Sequence, residues 1–375
     1  MKLSKPYHLL GALAASLLLA TQANAVTVVT SFSILQDMVK QVGGDKVDVL
    51  NLVKPDSDIH HYEFTPDDLK KFSAKNDVKV FFTNGLGLDT WSDKVVKATN
   101  YSGKVVAVSD GIKTRMFKEN ILGENGEIMA AKEDEHDEHE HHEHEGHDQH
   151  DHEGHDYHHD HDEHEQHDHK GHEHHHDHDE HDQHSHEGHD HHEHEGHHHH
   201  HHGVDPHAWQ SLTNAQIYVD NIAKTLASVD AANADFYTKN AQQYKQALKA
   251  LDDEIKPQFA KLPANHRYLV TSHESLGYFA DDYGLTVLTP LGFSDDAEPS
   301  AKDVATVIKA IRAKNIPAVF LENSKNPAVI KQIATEAKVK VGATLYTDAL
   351  SAKGEGSTYL GMMKANTKAI LEALR

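Results

Sequence analysis

Residues Val26–Leu69 read VTVVTSFSILQDMVKQVGGDKVDVLNLVKPDSDIHHYEFTPDDL. Val26–Thr30 is a short, β-branched apolar run, the composition of a buried strand. From Ile34 to Val42 the apolar residues fall at helical spacing, and Gly43-Gly44 end that pattern. Val47–Val53 is a second strand. Thr65-Pro66-Asp67-Asp68 then opens a helix over Thr65–Ala74, with a capping hydroxyl, a proline in the first turn and acids at the positive end of the helix dipole. Strand, helix and strand in succession make a crossover unit, and crossovers join parallel strands.

The alternation continues outward. Val78–Thr83 and Val105–Val108 read as strands, with a helix at Trp91–Thr99 between them. Farther on come two amphipathic helices, Asn214–Ser228 and Ala231–Leu262. The second spans ~45 Å at 1.5 Å per residue, with Pro257 as a kink or a mark of its last turns. Strands Tyr268–Thr271, Thr286–Thr289, Ala318–Leu321 and Lys340–Leu345 then alternate with helices Leu276–Tyr283, Ala301–Ala313, Ala328–Ala337 and Tyr359–Leu374. The expected class is α/β: two lobes, each with a mainly parallel sheet flanked by helices, joined by a long rigid helix. The expected boundaries are 26–230, 231–262 and 263–375. Open parallel sheets bind ligands beyond the carboxyl ends of their strands, so the cleft between lobes is the expected site.

Between Glu133 and His202 the composition changes completely. This tract holds 33 of the 39 histidines, 26 aspartates or glutamates, and one cation, Lys170. It carries −25 of a net −24, which leaves the rest of the chain at +1 and gives no sign of a nucleic-acid partner. With Tyr157 as its one large apolar residue, it cannot build a core and is expected to be a disordered insertion in the first lobe. Imidazole and carboxylate both bind first-row divalent ions, so it reads as a metal loop, accessory to a site built elsewhere. A solvated spacer is the plainer reading, but a spacer has no need of histidine.

The first 25 residues read as a secretory signal. Lys2 and Lys5 precede the apolar run Leu9–Ala20, and Ala23-Asn24-Ala25 fits a cleavage site. No later run approaches the ~18 apolar residues of a membrane span. The chain has no cysteine, which excludes disulfides, thiolate metal sites and a cysteine-linked lipid. A soluble periplasmic protein is expected.

Outside the tract and the signal, five histidines remain: His60, His61, His207, His266 and His273. His60 and His61 lie in the loop after the second strand. His207 lies just past the tract, in Asp205-Pro206-His207-Ala208-Trp209. His273 closes the first strand of the second lobe, and Asp348 follows its last. His266 precedes its strand, at the edge away from the cleft, and reads as structural or exposed. A lone loop histidine is usually a surface residue; here it is the coincidence of strand-end positions that points to a shared site. His60 and His61 are too close in sequence for both to reach one ion. Three imidazoles and one carboxylate suit four-coordinate Zn²⁺, whereas manganese prefers more oxygen.

Val28–Leu69 resembles the amino-terminal lobe of the metal-binding solute-binding proteins of ABC importers, the ZnuA-like cluster A-I group. NGLGLDTW (84–91), DPHAW (205–209), SHESLGYFADDYGL (272–285), EPSAKDV (298–304), LYTDAL (345–350) and STYLGMMKAN (357–366) resemble it too. The similarity covers the mature chain except the tract. It selects His60 over His61, although Ile59 replaces the proline of that family's motif, and it implies His207, His273 and Asp348 as the other ligands. Manganese-type members carry a second acid in place of one histidine, so His273 makes the chain similar to the zinc branch. The implied function is capture of Zn²⁺ in the periplasm for a membrane permease, with the tract as an auxiliary low-affinity collector. A periplasmic zinc chaperone is a further candidate partner, and a monomer is expected. Two rivals remain: a periplasmic zinc buffer or chaperone without a permease, and a zinc hydrolase with Glu274 as base.

Overall fold

The structure is a computed structural model that describes residues 25–118, 127, 203–290 and 298–375. The signal read in residues 1–25, apart from Ala25, and the tract 133–202 lie outside these. Strands β1 (Val26–Phe32), β2 (Val47–Val53), β3 (Val80–Thr83) and β4 (Lys104–Ala107) form one parallel sheet in the order β2-β1-β3-β4. Val26 pairs with Val47, Val28 with Val80 and Val80 with Lys104. Helices α1 (Ser33–Gly43), α2 (Pro66–Lys71) and α3 (Ser92–Thr99) make the crossovers. Val28, Val29, Phe81 and Phe82 are fully buried because both faces of a parallel sheet are covered.

The second half is again parallel. β5 (Tyr268–Val270) pairs in parallel with β6 (Thr286–Leu288), and β7 (Ala318–Val319) with β8 (Lys340–Val341). The Phe320 N–H donates to the Val270 carbonyl at 2.8 Å and lays β7 beside β5. The second half thus holds two two-stranded parallel sheets, β5-β6 and β7-β8, adjoining along β5 and β7, where the first half has one continuous sheet. Helices α6 (Gly277–Tyr283), α7 (Ala301–Lys314), α8 (Ala328–Ala337) and α9 (Tyr359–Leu374) flank them.

Between the halves run α4 (Leu212–Val229) and α5 (Ala234–Ala260). At 27 residues, α5 is ~40 Å long. Tyr237, Ala241, Tyr244, Leu248, Leu251, Ile255 and Phe259 recur on one buried face at steps of three and four. Pro257 lies in the last turn, where its missing N–H interrupts little. One apolar core includes Phe32 and Phe81 from the first half, Trp209 and Tyr218, Phe259 of α5, and Leu269, Phe279 and Tyr359 from the second. A smaller one fills the second half around Val270, Val307, Ile311, Val319 and Ile333.

Some expected elements end early. α2 stops at Lys71, and Ala74–Asn76 form a tight turn closed by Asp77 at φ 46°. The expected strands Ala318–Leu321 and Lys340–Leu345 shrink to two residues each, with a lone parallel bridge at Glu322–Leu345. Gly342 packs against the Phe320 ring so closely that a Cβ there would press on it. Past it the backbone leaves the ladder and carries Asp348 toward the cleft.

Candidate metal centre

Four side chains converge from loops of the two halves, those of His60, His273 and Asp348 following strands and that of His207 preceding α4. His60 sits in the loop after β2. Its N–H donates to Asp58 Oδ1 at 2.9 Å, a local turn that aspartate favours. The preceding Ile59 is buried, and its carbonyl accepts from Trp91 Nε1 at 3.3 Å. His207 is held by Asp205, whose Oδ1 accepts the His207 N–H at 2.9 Å and lies 2.8 Å from Nδ1. His273 follows β5, with Nδ1 2.9 Å from Glu322 Oε1. A carboxylate on Nδ1 fixes the tautomer and turns Nε2 outward as an electron-pair donor, as at protein metal sites. Asp348 is set by Thr347, whose carbonyl accepts from Trp209 Nε1 at 2.9 Å and Gln210 Nε2 at 2.7 Å.

One ligand atom from each of His60, His207, His273 and Asp348 lies within 4.8 Å of all the others. His60 Nε2 is 3.2 Å from His207 Nε2 and 3.6 Å from Asp348 Oδ2. His207 Nε2 is 3.6 Å from Asp348 Oδ1, and His273 Nε2 is 3.0 Å from Oδ2. His207, His273 and Asp348 are buried, while the His60 side chain keeps 16% of its surface exposed. Asp348 Oδ1 is buried with no hydrogen-bond donor. A buried carboxylate oxygen of this kind is stable only opposite a cation, which fits the donor set to a metal ion.

Electrostatics agree. Burial alone would raise the Asp348 carboxyl, but His273 first, then His60 and Lys325, hold it well below the usual carboxylate range. Burial alone would lower the His273 imidazole, but Glu322 and then Asp348 carry it well above its ordinary value of 6.5. The metal-free cluster of carboxylates therefore favours the protonated His273 ring. Its share of metal-free stability is full below pH ~6.5 and fades as pH rises through the folded value. A metal needs the neutral ring, so binding must expel that proton. We expect release of about one proton per ion at pH 7, read by calorimetric titration in buffers of different ionisation enthalpy. An enthalpy independent of buffer would contradict it.

The other sequence candidates lie apart. The half-exposed His61 turns to Asp58, with Nδ1 3.1 Å from Oδ2. His266 Nδ1 is 2.7 Å from the Leu374 carbonyl, a structural contact. Glu274 Oε1 accepts from Arg115 Nη2 at 3.1 Å and the Lys118 N–H at 3.3 Å, which occupies the proposed hydrolytic base. Arg115 also pairs with Asp205 and Asp281, so it links the His207 support to the second half. Sequence reading missed Glu322 and Lys325 and passed over Asp205. Asp205 was legible two residues before His207. Glu322 follows the run Ala318–Leu321, and the strand-end rule that found His273 applies to it equally.

The family described as the periplasmic zinc-uptake complex component A matches residues 28–373. The chain is similar to the manganese ABC transporter substrate-binding lipoprotein PsaA of Streptococcus pneumoniae, 28% identical over 361 residues, 94% of this chain and 90% of that one. It is equally similar, at 28%, to the metal ABC transporter substrate-binding lipoprotein FimA of Streptococcus parasanguinis, covering 92% and 88%. Among solved structures, the periplasmic zinc binding protein TroA from Treponema pallidum has the same fold, with a TM-score of 0.67, 23% identity and coverage of 94% and 99%. A Mn-bound periplasmic metal binding protein from Candidatus Liberibacter asiaticus aligns with a TM-score of 0.65 at 24% identity, covering 93% and 100%.

Proposed function

Because the chain belongs to the family of the periplasmic zinc-uptake complex component A, we propose that His60, His207, His273 and Asp348 grip one Zn²⁺ and present it to a membrane permease. The family is one of metal-binding, solute-binding components of ABC importers rather than of enzymes. Among the described residues no helix is long and apolar enough to cross a membrane. One observation supports the ligand set most: three imidazole nitrogens and one carboxylate within 4.8 Å, each imidazole of His207 and His273 backed by its own carboxylate.

The choice of zinc rests on donor chemistry. Relatives named for manganese are similar at 28%. Three nitrogens and one oxygen favour zinc over manganese, which is harder and weaker in the affinity order. Competition titration of the mature chain, with free ions set by a chelator, should rank zinc above manganese by at least ~10-fold. His273→Glu should narrow that gap. Equal affinity for the two ions would defeat the zinc reading. The imidazole-rich tract 133–202 serves in this proposal as an auxiliary collector of lower affinity. The same titration on a chain without it should show fewer bound ions and one intact tight site; loss of the tight site would refute the division of labour. The protein acts in this proposal as a monomer, with a periplasmic zinc chaperone as a further partner.

A further inference from the structure

Lys325 stands beside the four donors without being one of them. It lies on the loop after β7 that also carries Glu322. Its Nζ donates to Asp58 Oδ2 at 3.0 Å and lies 3.8 Å from Asp348 Oδ2. The side chain is only 11% exposed. The other oxygen of Asp58 accepts the His60 N–H. One ammonium is therefore shared between the carboxylate that sets the His60 loop and the carboxylate that faces the ion. The loop is braced in place. Asn323 Nδ2 donates to Asp56 Oδ1 at 2.9 Å and to the Ala349 carbonyl at 3.1 Å, and the Ala352 N–H donates to Asp56 Oδ2 at 2.9 Å.

We propose that Lys325 is a built-in rival cation, which sets how tightly the metal is held and how fast it leaves. The inference rests on the reading of Asp348 as a ligand. In a buried site the screening of like charges is weak, so an ammonium this near the cluster opposes a divalent ion. Asp58 limits that opposition by drawing the ammonium toward itself. When the ion departs, the ammonium leaves Asp348 less exposed as an unpaired buried charge. Release is then helped by a cation that never leaves the protein.

A plain structural brace gives a different expectation: cutting the Lys325–Asp58 pair from either end should loosen metal binding. A rival cation gives opposite signs. Lys325→Met removes the competing charge and keeps the apolar stem. Asp58→Asn keeps an acceptor for the His60 N–H but releases the ammonium toward Asp348. The test uses the full mature chain, zinc buffered by a chelator so that only the first equivalent binds, and release timed after excess chelator. We expect Lys325→Met to bind zinc at least ~10-fold tighter and to release it more slowly, and Asp58→Asn to bind at least ~10-fold weaker. Lys325→Arg should stay near the parent. Cooperative melting of the metal-free variants checks folding, and Lys325→Gln replaces the methionine variant if that one fails. A tight parent site with Lys325→Met unmoved or weakened, or with both variants shifted the same way, overturns this inference alone. A parent chain with no tight zinc site overturns the site reading and this inference together.

Discussion

His207→Ala is expected to lower zinc affinity by at least ~100-fold. Four-ligand zinc sites in small domains are worth ~10–16 kcal/mol, so one donor carries ~3 kcal/mol, and each ~1.4 kcal/mol is a factor of ten. His207 should lie at or above that share because its ring is already buried and aimed by Asp205. Little ordering entropy remains to be lost when the ion arrives. The natural control is His61→Ala. That ring is half exposed and turned to Asp58, so its removal should leave affinity unchanged. Chelator competition on both variants decides the matter. Near-parental affinity in His207→Ala would take His207 out of the ligand set.

Trp209→Ala is expected to have the largest effect on the metal-free fold, a loss of ~3–5 kcal/mol. The indole is fully buried, 5.0 Å from the Phe32 ring and 5.3 Å from the His207 ring. Its N–H also holds the Thr347 carbonyl, one residue before Asp348. The same substitution should therefore weaken zinc binding as well as lower the melting temperature, by ~10 °C for a chain of this size. Melting of the metal-free variant checks the first effect and chelator competition the second. A stability loss with unchanged affinity would show that Gln210 alone positions the Asp348 loop.

Much of this arrangement was legible from residue spacing. The Thr65 capping box is present, with Asp68 as its reciprocal partner, and α5 follows the apolar spacing of Tyr237 through Phe259. The strand-end rule singled out loops for His60, His273 and Asp348, and the structure brings these three together with His207. What escaped was long-range pairing. Asp58 and Lys325 are 267 residues apart, and no local pattern announces such a contact. Glu322 escaped because a single glutamate at a strand end has no local signature beyond that position, although its carboxylate lies against the His273 ring. The short strands β7 and β8 escaped because apolar runs register burial, whereas a ladder needs continuous backbone pairing. Ala343 and Thr344 leave that pairing while Leu345 returns for one bridge.

The interior shared by the two halves has a mechanical consequence. Swinging them apart like a shell would wet Trp209, Tyr218, Phe259 and Tyr359, all sealed in one core. Exposing even ~400 Å² of such surface costs ~10 kcal/mol. A permease that pulls on the whole molecule works against that cohesion. One that plucks the turn bearing His60, the most exposed of the four donors, disturbs only the edge of it, where Ile59 is anchored.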